Sequence, residues 1–157
     1  MYMNVTVQTA PFNLQQESDS LVAHSADAGA LVLFQGMVRE FDQGIALEKM
    51  VLEHFPGVTE KEIERIILQA KAQWDIKGCR VIHRVGELTA DEPIVLLIVT
   101  AKHRLQAFLA AEFIMDYLKT QAPFWKKEYL QDGTHYWVEA KSSDRETLKR
   151  WQGLQGE

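Results

Sequence analysis

Three groups of cationic side chains carry the most chemical information in this chain. Lys102-His103-Arg104 stand side by side, Lys119 is separated from Lys126 and Lys127 by a short stretch containing Ala-Pro-Phe-Trp, and Arg39 follows a long apolar run. Guanidinium and ammonium groups that share a cleft suit a phosphate-bearing substrate. Their mutual repulsion also pushes a lysine towards neutrality, the form that acts as a base or amine nucleophile. Each group has a plainer reading as well: a solvated turn, a lysine complementing a helix C-terminus, a surface arginine. The lone Cys79 lies inside a strand pattern, where a free thiol is ordinarily inert; a thiol mechanism is the alternative. His83 reads equally as a structural hydrogen-bonder and as part of a site.

Motif absences narrow the chemistry further. The chain has no G-x-G-x-x-G, P-loop, G-x-S-x-G, H-E-x-x-H or C-x-x-C sequence. The five histidines (His24, His54, His83, His103 and His135) are too far apart to form a local metal-binding pair. No metal and no cofactor is expected.

Those cations need a scaffold, and the patterning supplies one. Residues 29–38 form a β-rich apolar run with Gly36 as a candidate bulge, and residues 46–55 alternate as a second strand expected to pair with the first. Pro56-Gly57 marks a turn, and Thr59 with Glu62 has capping-box spacing ahead of a helix running to about Trp74. Residues 78–85 and Pro93–Ala101 read as strands, the second apolar throughout, as in a strand covered on both faces. Arg104–Gln121 is a helix whose polar stripe, Glu112, Asp116 and Lys119, should face something wet or charged. Pro123 ends it. Phe124–Leu130 and residues 136–140 then form a hairpin around 131–134. A short strand at 4–7, a weak helix at 14–24 and a short helix at 144–151 complete the order. The implied fold is α+β: a mixed or antiparallel sheet, two major helices and a β-hairpin subdomain, in one domain over 1–157 with frayed tails at 1–10 and 152–157.

Composition agrees with a globular domain. At 157 residues, with 46% hydrophobic and 25% charged side chains, one core suffices. The longest apolar run, 94–101, is far shorter than the about 20 residues a bilayer needs. The first residues lack a secretory pattern and there is a single cysteine, so a cytoplasmic protein is expected. A net charge of -5 argues against nucleic-acid or membrane-surface binding. The basic excess after residue 101 favours a discrete anionic ligand over a polyanion.

Several segments closely resemble one known family. They are Leu52-Glu53-His54-Phe55-Pro56-Gly57, Val81-Ile82-His83-Arg84-Val85-Gly86-Glu87-Leu88, Ala101-Lys102-His103-Arg104 and, above all, the stretch from Phe113 to Glu128 containing Met115-Asp116-Tyr117-Leu118-Lys119-Thr120 and Ala122-Pro123-Phe124-Trp125-Lys126. The family is that of the large, catalytic subunits of molybdopterin synthase, and the resemblance covers about residues 11–151. It implies an α/β hammerhead-like fold and a sulfurtransferase of molybdenum cofactor biosynthesis. Its substrate would be cyclic pyranopterin monophosphate, and its sulfur donor the C-terminal thiocarboxylate of a small ubiquitin-like partner. A homodimer of large subunits within a heterotetramer is also implied. By the same resemblance Lys119 and Lys126 are catalytic. Arg39, His103, Arg104, Lys127, Glu128, Met37, Val38 and Lys141 belong to the substrate-binding stretches. Two positions depart from the pattern: Met37 stands where relatives can have lysine, and Lys141 where they can have arginine, losing a bidentate fork but keeping charge. A sulfur-carrying partner leaves Cys79 without a role. The competing reading is a non-catalytic dimeric adaptor for a ubiquitin-like partner or a phosphorylated small molecule.

Overall fold

Hydrophobic alternation on the strands and apolar stripes on two long helices set the architecture of the computed structural model, which describes residues 1–138 and 142–155. Four strands form the central sheet, in the order β1 (Tyr2–Gln8), β5 (Ile76–Arg84), β7 (Pro93–Ala101), β2 (Ala30–Met37). β1 runs parallel to β5, while β5 with β7 and β7 with β2 are antiparallel. Helices α2 (Val58–Gln73) and α3 (Arg104–Gln121) cover one face around Ile63, Ile66, Ile67, Phe113 and Ile114. Helix α1 (Leu14–Ala23) supplies Leu21 to the other face, over Ile82, Leu96 and Ile98. With a layer on each side, β7 is buried through Ala101, which is why its sequence does not alternate.

A second sheet joins β3 (Phe41–Asp42), β4 (Ile45–His54), β8 (Phe124–Leu130) and β9 (His135–Val138), with β6 (Gly86–Leu88) also pairing to β4. Its inner side packs on Val38, Leu47, Met50, Leu52, Val85, Leu88 and Leu130. The mixed α+β class follows from the sequence pattern, while several local expectations are corrected. β4 does not pair with β2; it pairs with β8, from Leu47 opposite Leu130 to His54 opposite Phe124. Residues 1–10 are not a frayed tail, because Tyr2–Gln8 pairs along its whole length with β5. Of the expected C-terminal tail, Gln152–Gln155 forms the short helix α5 and residues 156–157 lie outside the described residues.

The start of α2 also differs from the expected capping box, and the difference bears on the site. The capping bond runs from the Gly57 amide to Glu60 Oε1 at 2.9 Å, with Gly57 at φ 84°, where a Cβ would be strained. Thr59 instead bridges two elements, since its hydroxyl accepts from the Phe55 amide at 2.9 Å and donates to the Pro123 carbonyl at 3.0 Å. One buried side chain thus ties the end of β4 to the junction between α3 and β8.

The polar stripe of α3 has an internal partner. Asp116 Oδ2 accepts from Arg150 Nη2 and from Trp151 Nε1, each at 2.6 Å, while Glu112 lies 3.4 Å from Arg150. Trp151 itself is buried against Phe113 and Trp74. Helix α4 (Ser142–Thr147) and the 3-10 turn Leu148–Trp151 are therefore anchored on α3 just before Lys119.

Candidate active site

Where β2, α3 and the second sheet meet, they enclose a cavity of about 620 Å³. The bulge in β2 between Gly36 and Met37 turns the chain so that Met37 and Arg39 reach its wall. The bulge position also needs a glycine, since a Cβ on Gly36 would stand 2.8 Å from Val95 Cγ1. Lys119 comes from the last turn of α3, which stops at Ala122 in extended conformation ahead of Pro123. β8 then presents alternate residues Phe124, Lys126 and Glu128 to the same space. Arg39, Lys119 and Lys126, predicted from the cation pattern, are thereby brought together with Met37 and Glu128.

The rest of the lining is mostly apolar or aromatic, including Phe34, Phe41, Ile94, Val95, Met115 and Leu118. Lys119 and Arg39 are exposed, and Lys126 is part-buried with its Nζ 4.0 Å from Glu128 Oε1. Glu128 is buried and accepts a hydrogen bond from the Tyr136 hydroxyl at 3.1 Å. Desolvation raises its pKa above the usual carboxylate range, and a hydrogen bond with Asp42 adds to this, against the opposing pull of Lys126 and Arg39. The cavity therefore combines three cations with the Glu128 carboxyl, which holds a proton more tightly than a free carboxylate does.

His83, for which the sequence leaves two readings open, is also in this wall. Its ring stacks on Phe124 at 3.8 Å and 20°. Burial lowers its pKa to about 4, with a smaller contribution from the nearby His54, so the imidazole is neutral. No sequence pattern singles out Asp42, Phe41 or Tyr136, which lie in a polar loop and a hairpin whose pairing partners only the fold reveals.

The other expected site residues lie elsewhere. Val38 is 1% exposed and packed in the core under the second sheet, so its side chain does not reach the cavity. Lys127 points to the opposite face of β8, its Nζ over the rings of Tyr129 and Trp137 at 5.2 and 5.5 Å. His103 and Arg104 line a separate, open depression with Gly29, Lys102 and Leu105. Lys141 lies outside the described residues. Cys79 is fully buried and burial pushes its thiol pKa well up, which removes it as a nucleophile. Among the described residues no three His, Cys, Asp or Glu side chains gather as metal ligands, and no helix is long and apolar enough to cross a membrane.

Comparison with known proteins agrees with this architecture. The model of the MoaE protein family matches residues 7–121. The molybdopterin synthase catalytic subunit of Salmonella typhimurium is 46% identical over 147 residues, covering 94% of this chain and 97% of that protein. The protein of the same name from Mesorhizobium japonicum is 47% identical over 148 residues, covering 94% and 92%. Among solved structures, the molybdopterin biosynthesis MoaE protein of Burkholderia ambifaria superposes with a TM-score of 0.82 at 43% identity, covering 96% of this chain and 98% of that one. A protein-protein complex of subunits 1 and 2 of molybdopterin-converting factor from Helicobacter pylori shares the fold with a TM-score of 0.69 at 16% identity, covering 88% of this chain and 91% of that one. A matched family model over most of the chain, near-complete relatives at this identity and a shared fold together mean that the chain belongs to the MoaE protein family.

Proposed function

We propose that this cavity is where sulfur passes from the C-terminal thiocarboxylate of a small ubiquitin-like subunit to cyclic pyranopterin monophosphate, building the dithiolene of molybdopterin. The chain is a sulfur-transferring enzyme of molybdenum cofactor biosynthesis, and its relatives are named molybdopterin synthase catalytic subunit. The observation that carries the finer reading is the meeting of Arg39, Lys119 and Lys126, from three separate elements, in one half-apolar cavity. Arg39 holds the phosphate; Lys119 is the principal acid and base beside the thiocarboxylate and can form a transient adduct with the partner's tail. Lys126 stabilises the negative charge that develops as the carbonyl–sulfur bond breaks. A non-catalytic adaptor would need no such lysine pair. The cytoplasm, with reduced thiols, suits the buried free Cys79.

The homodimer has support from the position of β2. It is an edge strand of the central sheet, and Leu31 and Leu33 on it are exposed. Gly29 at its start borders the His103 and Arg104 depression, whereas Met37 at its end borders the cavity. Antiparallel pairing of two β2 strands would set the first region of one copy beside the second region of the other. His103 and Arg104 then join Arg39 as phosphate and pterin ligands across the interface.

The decisive experiment combines this chain, thiocarboxylated small subunit and cyclic pyranopterin monophosphate and detects dithiolene. Wild type forms product, and Lys119→Ala forms none while its fold and partner binding persist. Product at the wild-type rate from Lys119→Ala would remove the lysine from the chemistry; no product from wild type would favour the adaptor.

A further inference from the structure

Sulfur transfer, as proposed above, leaves three titratable side chains of the cavity without a role, Asp42, Glu128 and His83, and of these only His83 is a nitrogen base. His83 Nδ1 lies 2.9 Å from the Arg84 carbonyl oxygen. That oxygen can only accept, so Nδ1 carries the proton and Nε2 keeps its lone pair. The stack on Phe124 fixes the ring plane. Among the described residues the one sealed side-chain N or O atom without a hydrogen bond is Gln69 Oε1, so Nε2 of His83 is not sealed off, and the residue itself lines the cavity.

Building on the assignment of this cavity to sulfur transfer, we propose that His83 is a ligand-binding residue, its Nε2 accepting a hydrogen bond from an N–H group of what the cavity holds. An uncharged acceptor repels phosphate and thiocarboxylate oxygens, which Arg39, Lys119 and Lys126 attract. His83 therefore divides the cavity: anionic groups at the cations, an N–H donor at the imidazole. Two sources offer that donor, the pterin heterocycle and the backbone of the partner's extended tail. Because burial keeps the ring neutral down to about pH 4, the acceptor is available throughout the physiological range.

Side-chain amides separate the two ring nitrogens. His83→Asn places a donor where Nδ1 stood, keeping the bond to Arg84, and leaves nothing at Nε2; His83→Gln reaches the Nε2 position. Cyclic pyranopterin monophosphate and, separately, the small subunit in its carboxylate form are titrated calorimetrically into wild type and both variants, alongside thermal melts and steady-state kinetics. His83→Asn is expected to weaken one of the two affinities about tenfold, raising the corresponding KM more than it lowers kcat, with its melting temperature held and His83→Gln within about threefold of wild type. A loss for the pterin identifies the heterocycle as donor; a loss for the small subunit identifies its tail. Unchanged affinities in His83→Asn would overturn the proposal and leave His83 a packing residue. Should that variant not fold, His83→Phe, which keeps the stack, carries the same comparison. Wild type that binds neither titrant would overturn the sulfur-transfer reading itself, before any variant is compared.

Discussion

Lys119, Lys126 and Cys79 show how burial alone sorts candidate nucleophiles. The two lysines border open cavity space, whereas Cys79 has no exposed surface and a thiol held protonated by its apolar surroundings. The native protein should therefore resist alkylation by iodoacetamide, which reacts with thiolate. Cys79→Ala should keep its activity per folded molecule and lose only about 1 kcal/mol of stability, on the scale of one buried methylene-sized group; loss of activity without unfolding would return the thiol to the mechanism. Residue types identify the cations because charge at the ends of apolar runs is visible in a linear sequence. Residues such as Asp42 and Tyr136 are not legible there, since loop and hairpin positions gain meaning only when a register sets them against Glu128. Val38 and Lys127 are misplaced by sequence for the complementary reason: a site-bearing stretch of strand sends alternate side chains to opposite faces.

At the scale of elements, periodicity locates most helices and strands but not their neighbours. β2 and β4 lie close together in sequence, yet the long apolar β7 takes β2 while β4 joins the hairpin of β8 and β9. Sequence adjacency favours pairing, but burying β7 on both faces and along both edges wins. Helix α3 offers the clearest test of how an element positions a reactive group. Asp116 accepts the Trp151 indole N–H and so fastens the C-terminal segment to the polar stripe of α3. In Asp116→Ala, Trp151 Nε1 loses this acceptor in a mostly buried setting, which should cost about 1–3 kcal/mol. The melting temperature should fall by roughly 2–10 °C, measured by calorimetry. An unchanged melting temperature would show that the C-terminal segment is held by apolar packing on Phe113 and Trp74 alone.

For the molecule as a whole, the neutral His83 makes acid an enemy of stability. An unfolded imidazole titrates near the ordinary 6.5 and the folded one near 4. Between those values the unfolded chain binds the extra proton, so stability falls as pH drops through this window. The loss approaches about 3 kcal/mol below pH 4, a ceiling because the side chain is not wholly sealed. Urea unfolding at pH 7, 5.5 and 4 should show the decline in wild type and a shallower one in His83→Gln, which does not titrate; parallel declines would assign the acid sensitivity to the carboxylates.

The parallel pairing of β1 with β5 has a consequence for how the chain reaches this state. Every rung joins distant residues, from Tyr2 with Gly78 to Gln8 with Arg84, and the ion pair of Glu17 with Arg80 at 2.7 Å spans nearly the same interval. Closing so long a loop is entropically costly until β5 and β7 exist as a template. β1 and α1 are thus expected to dock late, onto a sheet that starts from the sequence-local β5–β7 pair, whose partners lie between His83 with Val95 and Ile76 with Ala101. Until that docking, β5 offers an open edge, so crowding during refolding threatens this protein through intermolecular strand addition at β5 rather than through its cavity.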